Sequence, residues 1–150
     1  MRYFVDTNVF IDAFLNPAEN DALERFHGAF APDELLSAIV VHELRAGIRS
    51  PSAARKLERY LIAPFRRRNR LVSPTAQAWE ATAAALAKLA RLEGARVSNY
   101  TRAFGHDALL AASCREAGAT LVTRNTKDFA RLRRVMDFRF MAPWPMAKPR

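Results

Sequence analysis

Cysteine is almost absent from this chain of 150 residues. The one cysteine, Cys114, cannot form an intramolecular disulfide, and its isolation excludes a cysteine-rich zinc site. Because it lies in the apolar run 111–114, we expect a small buried side chain rather than a reactive thiol. No apolar stretch is long enough to cross a membrane, and the N-terminus lacks the charged, apolar and small-residue pattern of a signal peptide. These absences predict a soluble cytoplasmic protein.

Glycine and histidine are also scarce. The first predicted turn, Asp6-Thr7-Asn8, contains none of the five glycines, whereas a nucleotide-binding module carries a glycine-rich turn at this point. The three histidines, His27, His42 and His106, lack the spacing of zinc ligands. His106 is a candidate general base because it stands beside Asp107, with a surface or structural histidine as the alternative.

Negative charge is in short supply, because 15 acidic residues face 24 lysines and arginines, for a formal net charge of +9. Such a balance favours a polyanionic partner such as RNA or DNA, since neutralised phosphates release their counterions. The alternative is a basic surface that binds nothing. The densest positive tract is 66–70, which predicts either phosphate contacts or a solvated connector.

Strand-forming and helix-forming segments alternate along the chain. The pattern predicts an α/β fold of three layers, with a central parallel sheet of about four to five strands in a single domain over 1–141. An irregular proline-rich tail is expected over 142–150. The predicted strands are 2–5, 35–41, 71–72, 119–123 and 135–140. Helices are predicted over 9–15, 18–30, from 42 through 47, over 52–63 (ending at Pro64), 73–93, 108–117 and shortly after 125. A surface loop is predicted over 95–104.

Four acidic residues share one kind of position, just after a strand or in the first turn of a helix: Asp6, Glu43, Asp107 and Asp128. A single acid there is ordinary, because it caps the helix or interacts with its dipole. The carboxyl ends of parallel strands meet at one edge, so four such acids are expected to converge. Converging carboxylates stay ionised when a hard cation lies among them, which predicts Mg²⁺, or Mn²⁺ in its place.

Four motifs together resemble the PIN-domain ribonucleases, in particular the VapC-type toxins of toxin–antitoxin pairs. They are Val5–Val9, Val41–Leu44, His106–Ala112 and Leu121–Phe129, and they occur in the order and spacing of that family. The resemblance covers nearly the whole chain. It implies a PIN-like fold, Mg- or Mn-dependent endonucleolytic cleavage of RNA, inhibition by a small antitoxin protein, and a homodimer.

The resemblance also assigns roles to individual residues. It implies that Asp6, Glu43 and Asp107 are metal ligands, and that a fourth catalytic acid lies at the position of Asn125 or of Asp128. Because residue 125 is an amide here, Asp128 is the candidate, which leaves the number of metal ions open. The residues expected to orient the acids are Asn8, Thr123 and Asn125.

Two surfaces are expected to serve partners. The arginines proposed to hold flanking RNA phosphates are Arg124, Arg66, Arg67, Arg68 and Arg70. Single-stranded or looped RNA is the expected substrate, because its bases can be splayed for recognition. An antitoxin helix is expected in an apolar groove lined by Phe10, Phe14 and Leu15, with core packing as the alternative for Phe10.

Other functions of an α/β domain fit the sequence less well. A haloacid-dehalogenase-type phosphatase needs an aspartate two residues after its nucleophile, where this chain has Asn8. A response-regulator receiver needs paired acids after its first strand, and these are not evident. The remaining alternative is a non-catalytic RNA- or partner-binding module, which predicts binding that survives loss of Asp6 and Asp107 and needs no metal.

Overall fold

The computed structural model describes residues 1–145, and within this part of the chain five parallel strands form one sheet. Their order across the sheet is β3-β2-β1-β4-β5, and every neighbouring pair is parallel. All carboxyl ends therefore point to one edge, which confirms the predicted parallel sheet. The strands are β1 (Arg2–Val5), β2 (Glu34–Ser37), β3 (Leu71–Val72), β4 (Ala119–Val122) and β5 (Arg139–Met141).

Helices cover both faces of the sheet, as expected for three α/β/α layers. The connections after β1 and β2 lead in one direction across the sheet, and those after β3 and β4 lead in the other. Right-handed crossovers therefore place α1 to α5 on one face and α6 to α8 on the opposite face. The helices are α1 (Thr7–Leu15), α2 (Pro17–Phe30), α3 (Ala38–Gly47), α4 (Pro51–Leu57), α5 (Ala63–Arg67), α6 (Ala76–Glu93), α7 (Arg102–Ala117) and α8 (Thr126–Arg133).

The core is built on the two central strands. Phe4, Leu121 and Val122 are completely buried and Val5 nearly so, because helices cover these strands on both sides. Cys114 is buried among them in the core cluster, which confirms its packing role. Across residues 1–145, no helix combines the length and the apolar character that a membrane span requires.

The predicted strand over 35–41 is wrong in its second half. Strand β2 ends at Ser37, whose hydroxyl accepts a hydrogen bond from the Ile39 amide at 3.1 Å and caps α3. The β-branched run 39–41 is helical because all three side chains are buried there, and packing outweighs their strand propensity. Glu43 consequently lies in the second turn of α3, not at the start of a helix.

The predicted surface loop over 95–104 is also wrong in its second half. Helix α7 begins at Arg102, because the Thr101 hydroxyl accepts a hydrogen bond from the Phe104 amide at 3.1 Å and caps it. Phe104 is buried against the core, and the helix continues through Gly105. Asp107 therefore projects from the second turn of a longer helix.

Smaller boundary errors have local causes. Pro64 does not end its helix, because the backbone widens into a π-helical turn at Glu58–Ile62 and continues as α5. Helix α6 begins at Ala76, after its cap Thr75, instead of at residue 73, and the last strand is Arg139–Met141 instead of 135–140.

The start of the expected irregular tail is ordered against α2. Residues 142–145 form no regular element, and the Trp144 ring packs on Phe26 with their centroids 5.7 Å apart. The Trp144 indole N–H also donates to Glu19 at 3.4 Å. The rest of the predicted tail, 146–150, lies outside the described residues.

Candidate active site

The candidate site lies where the direction of chain crossover reverses. Strands β1 and β4 are neighbours, and Asp6 follows the first while Thr123 follows the second. The Asp6 amide donates to the Val122 carbonyl at 2.9 Å, so the two strand ends are joined directly. Open α/β sheets bind their ligands in the crevice at this kind of switch point.

Asp6 both caps α1 and anchors the site. Its Oδ1 accepts a hydrogen bond from the Thr7 backbone amide at 2.8 Å. Its Oδ2 accepts from the Thr123 hydroxyl at 2.7 Å and from the Asn8 side-chain amide at 3.1 Å. The side chain is 3% exposed. Burial raises the pKa of Asp6, and the nearby charge of Glu43 adds to this, against the opposing effect of the three donors.

The three residues predicted to orient the acids lie in one network around Asp6. The Thr123 hydroxyl, which donates to Asp6, accepts a hydrogen bond from the backbone N–H of Asn125 at 3.0 Å. The Asn8 side-chain oxygen, Oδ1, accepts from the Arg124 backbone amide at 3.1 Å. The turn after β4 is thus tied to the first turn of α1, which holds the Asp6 carboxylate in one orientation.

Glu43 reaches the site from α3 and is held by a residue that the sequence analysis did not single out. The Thr7 hydroxyl donates to Glu43 Oε1 at 3.0 Å. Thr7 is the first residue of α1, directly after Asp6, so one short turn supports two acids. Thr7 lies inside the first motif, Val5–Val9, and this position is the sequence signal that could have identified it as a supporting residue.

Asp107 is the third predicted acid, and the pKa of its carboxyl is strongly raised. Burial raises its pKa to about 8, and the charges of Asp6, Glu43 and Asp128 add to the rise. The Asn125 side-chain amide donates to Asp107 Oδ2 at 3.2 Å and counteracts it in part. The effect of the other three acids on its pKa shows that the four predicted acids share one electrostatic environment.

Asp128 lies in the first turn of α8 and is linked to Asp107 through Asn125. The Asn125 side-chain amide donates to Asp128 Oδ2 at 3.2 Å as well as to Asp107. Asn125 stands at the N-cap position of α8, but its side chain makes no capping hydrogen bond. Arg131 donates to Asp128 Oδ1 at 3.1 Å. Sequence reasoning missed Arg131, although its spacing of three residues from Asp128 on a helix was the signal.

The donor chemistry of the site suits a hard cation. The acids supply carboxylate oxygens, which Mg²⁺ and Mn²⁺ prefer, and their mutual repulsion would be relieved by a positive ion. Within residues 1–145, however, no three acidic, histidine or cysteine side chains stand close enough to share an ion as they lie. An ion bound here would therefore have to draw these carboxylates closer together.

The structure does not bring the predicted phosphate-binding arginines to the acids. Arg124 forms ion pairs with Asp12 on α1 and Glu19 on α2, so its guanidinium links these two helices. The tract 66–70 precedes β3, and its last member donates to the carbonyl of Ala31, ahead of β2. This contact directs the tract toward the amino ends of the strands, at the edge away from the acids.

The histidines have packing partners. His106 packs edge-on against His42 with ring centroids 5.6 Å apart, as the structural alternative predicts. His27 Nδ1 lies 2.6 Å from the Glu34 carboxylate. Burial lowers the pKa of His27, but the hydrogen bond and charge of Glu34 outweigh it, and the net pKa is raised.

An apolar groove of about 710 Å³ runs from Glu43 along the face formed by α1 to α4. Phe10 and Phe14 line it as predicted, and Phe10 also belongs to the core, being 1% exposed. The prediction for Leu15 is wrong, because this side chain lines a small separate pocket beside Arg124. The apolar side chains lining the groove include Phe10, Ile11, Phe14, Leu23, Leu44, Ile48, Leu57, Tyr60 and Leu61.

The fold is that of a recognised class. The family model of the PIN domain matches residues 3–135, and the chain belongs to this family. The resemblance drawn from the four sequence motifs is thereby confirmed. Among proteins with curated annotation, none is significantly similar to this chain in sequence.

Solved structures match over nearly their full length. DNA-bound VapBC from Salmonella typhimurium is 25% identical, with 95% of this chain and 98% of that chain covered and a TM-score of 0.68. FitAcB from Neisseria gonorrhoeae is 24% identical, with coverages of 96% and 99% and a TM-score of 0.70. VapBC2 from Rickettsia felis, bound to a promoter DNA fragment, is 22% identical, with coverages of 97% and 100% and a TM-score of 0.64. These likenesses support the PIN fold.

Proposed function

We propose that this PIN-domain protein is a metal-dependent endoribonuclease that acts as the toxin of a toxin–antitoxin pair. The observation that carries the nuclease proposal is the hydrogen-bonded arrangement at the switch point, where Thr123 holds Asp6 and Asn125 holds Asp107. Burial and the charges of three neighbouring carboxylates raise the pKa of Asp107 to about 8. A cluster that is electrostatically costly alone is what a divalent cation stabilises. The strongly basic chain, with its net charge of +9, favours a polyanionic substrate, and the family resemblance selects RNA.

Each proposed ligand has its own orienting group. Asp6 would be held by Thr123 and Glu43 by Thr7, while Asn125 would hold Asp107. When bound, Mg²⁺ or Mn²⁺ supplies a water of lowered pKa and positive charge for the phosphoryl oxygens. In-line attack of water on phosphorus, with cleavage of the bond to the 3′ oxygen, leaves a 5′-phosphate and a 3′-hydroxyl.

Cleavage of RNA is expected to require the metal. Purified protein incubated with total RNA and Mg²⁺ or Mn²⁺ should produce fragments with 5′-phosphate ends, and EDTA should stop the reaction. Equal cleavage in EDTA would contradict the mechanism. RNA binding without cleavage under any metal condition, over a broad set of RNAs, would instead favour a non-catalytic binding module.

We further propose that the apolar groove binds a helix of the antitoxin. Ile11 and Phe14 in its wall are 43% and 56% exposed, so a partner would remove substantial apolar surface from water. Glu43 lines the same groove, which would allow a basic side chain of the partner to reach the acids. On the resemblance alone, we expect the toxin to be a cytoplasmic homodimer.

Charge introduced into the groove is expected to separate inhibition from catalysis. Phe14→Asp should cleave RNA as the parent does but escape inhibition when it is co-expressed with a small protein encoded beside it. Trp79→Asp is the matched control, because Trp79 is similarly exposed at 59% but lies on α6, on the opposite face of the sheet. Equal loss of inhibition in both variants would argue against the groove.

A further inference from the structure

Both oxygens of Asp128 are engaged by other residues of the site. Arg131 Nη1 donates to Oδ1 at 3.1 Å, and the Asn125 amide donates to Oδ2 at 3.2 Å. The same Asn125 nitrogen also lies 3.2 Å from Asp107 Oδ2, so one amide bridges the two acids. This arrangement gives Asp128 a different environment from that of Asp6, whose donors all come from its own motif and Thr123.

Arg131 is itself held from several sides. Its Nε and Nη2 donate to the two Glu93 oxygens at 3.2 and 2.9 Å, which is a bidentate pair. The guanidinium lies 4.6 Å from the centre of the Phe104 ring and 5.9 Å from that of Tyr100. The Tyr100 hydroxyl donates to Glu93 at 2.7 Å and closes the network. The arginine is therefore a permanent positive charge in a defined place.

This positive charge bears on how many metal ions the site can hold. A second ion on Asp128 would have to approach the guanidinium or displace it from Asp128 and from the contacts with Glu93 and Phe104. A carboxylate that instead hydrogen-bonds an amide can aim that amide at a true ligand, as residues behind metal ligands commonly do. Asn125, oriented by Asp128, donates to Asp107 in this way.

We propose that Asp128 is a positioning residue, held by Arg131, that aims the Asn125 amide at Asp107, and that the site takes a single divalent ion on Asp6, Glu43 and Asp107. The inference rests on the proposed function in that it needs the metal. It assigns Asp128 to the hydrogen-bond network around Asp107. Arg131 then supplies, next to Asp128, the positive charge that a second metal ion would otherwise bring.

Counting bound Mn²⁺ by electron paramagnetic resonance tests the proposal. We expect one ion per chain in the parent protein and loss of binding in Asp107→Asn. Asp128→Asn should lose less affinity than Asp128→Ala, because its one side-chain oxygen can still accept from Asn125 although the bond from Arg131 is lost. Asp128→Ala should bind about tenfold more weakly than the parent. A ligand role predicts that Asp128→Asn loses Mn²⁺ as severely as Asp107→Asn; that result, or two ions per parent chain, would overturn the proposal.

A second readout separates this proposal from the proposed function. In EDTA, the side-chain amide NMR signals of Asn125 should shift less in Asp128→Asn, which keeps one acceptor oxygen, than in Asp128→Ala, which keeps none. Failure of the parent to bind Mn²⁺ would refute the metal-dependent function and the single-ion statement with it. Unchanged Asn125 signals in a folded Asp128→Ala protein would refute the positioning role alone.

Discussion

Replacing Asp107 by asparagine is expected to abolish RNA cleavage and, at the same time, to stabilise the metal-free protein. The pKa of this carboxyl is raised to about 8 by burial and by the charges of Asp6, Glu43 and Asp128. Folding without metal must therefore either bind a proton at Asp107 or, above about pH 8, bring its charge close to those of the other acids. An asparagine removes one of these charges, while its side-chain oxygen can still accept the hydrogen bond from Asn125.

The sign of the pH dependence follows from the raised pKa. Between its ordinary value of 3.8 and about 8, the folded protein binds a proton at Asp107 that the unfolded chain does not. The free energy of unfolding of the metal-free protein should therefore fall as the pH rises through this window. Asp107→Asn should lack this contribution and gain about 2 kcal/mol at pH 8, a discounted figure because Asp107 is only partly buried.

Urea unfolding in EDTA between pH 5 and 9 measures this effect. The control is Asp137→Asn, which changes an exposed aspartate outside the four motifs and should follow the parent at every pH. Added Mg²⁺ should stabilise the parent and the control but not Asp107→Asn. A metal-free Asp107→Asn protein less stable than the parent, or one that still responds to Mg²⁺, would contradict the electrostatic account of the site.

Thr123→Val is the second substitution with a large expected effect. The Thr123 side chain is fully buried, and its hydroxyl donates to Asp6 and accepts from the Asn125 amide N–H. Valine keeps the shape but loses both bonds, which leaves a buried carboxylate short of a donor. We expect cleavage to fall by about 10- to 100-fold, as for residues that orient metal ligands, and stability to fall by about 1–3 kcal/mol.

Thr123→Ser provides the matched control, because it retains the hydroxyl and should retain most of the activity. Thr120→Val tests for a general effect on β4, since Thr120 is also buried in this strand but lies outside the acid network. Cleavage rates and Mn²⁺ affinity would be measured for all three variants. Similar losses in the valine and serine variants at position 123 would show that packing, and not the hydroxyl, matters there.

The sequence was most informative at the strand ends next to the motifs. Strand β1 and Asp6 were located correctly, because a short apolar strand followed at once by a polar triplet has few alternative structures. The predicted end of the long helix at residue 93 was also correct, because Gly94 follows it in the left-handed conformation that favours glycine. Local signals of this kind act within a few residues and need no knowledge of the fold.

Errors arose where burial changed the local preference. The run 39–41 has strand propensity but is helical because its side chains pack in the core. The segment before Asp107 looked polar, yet a threonine cap and buried Phe104 start α7 earlier. In both places the acid stayed near its predicted position while its supporting element changed.

The amino-acid sequence by itself determined the α/β class and marked Asp6, Glu43, Asp107 and Asp128 as candidate site residues. Both depend on short-range patterns, namely strand–helix alternation and polar residues directly after apolar strands. Only the tertiary structure decided the hydrogen bonds among those acids, the role of Arg131 and the separation of tract 66–70 from the site. These depend on residues far apart in the chain, whose distances are set by strand order and helix packing.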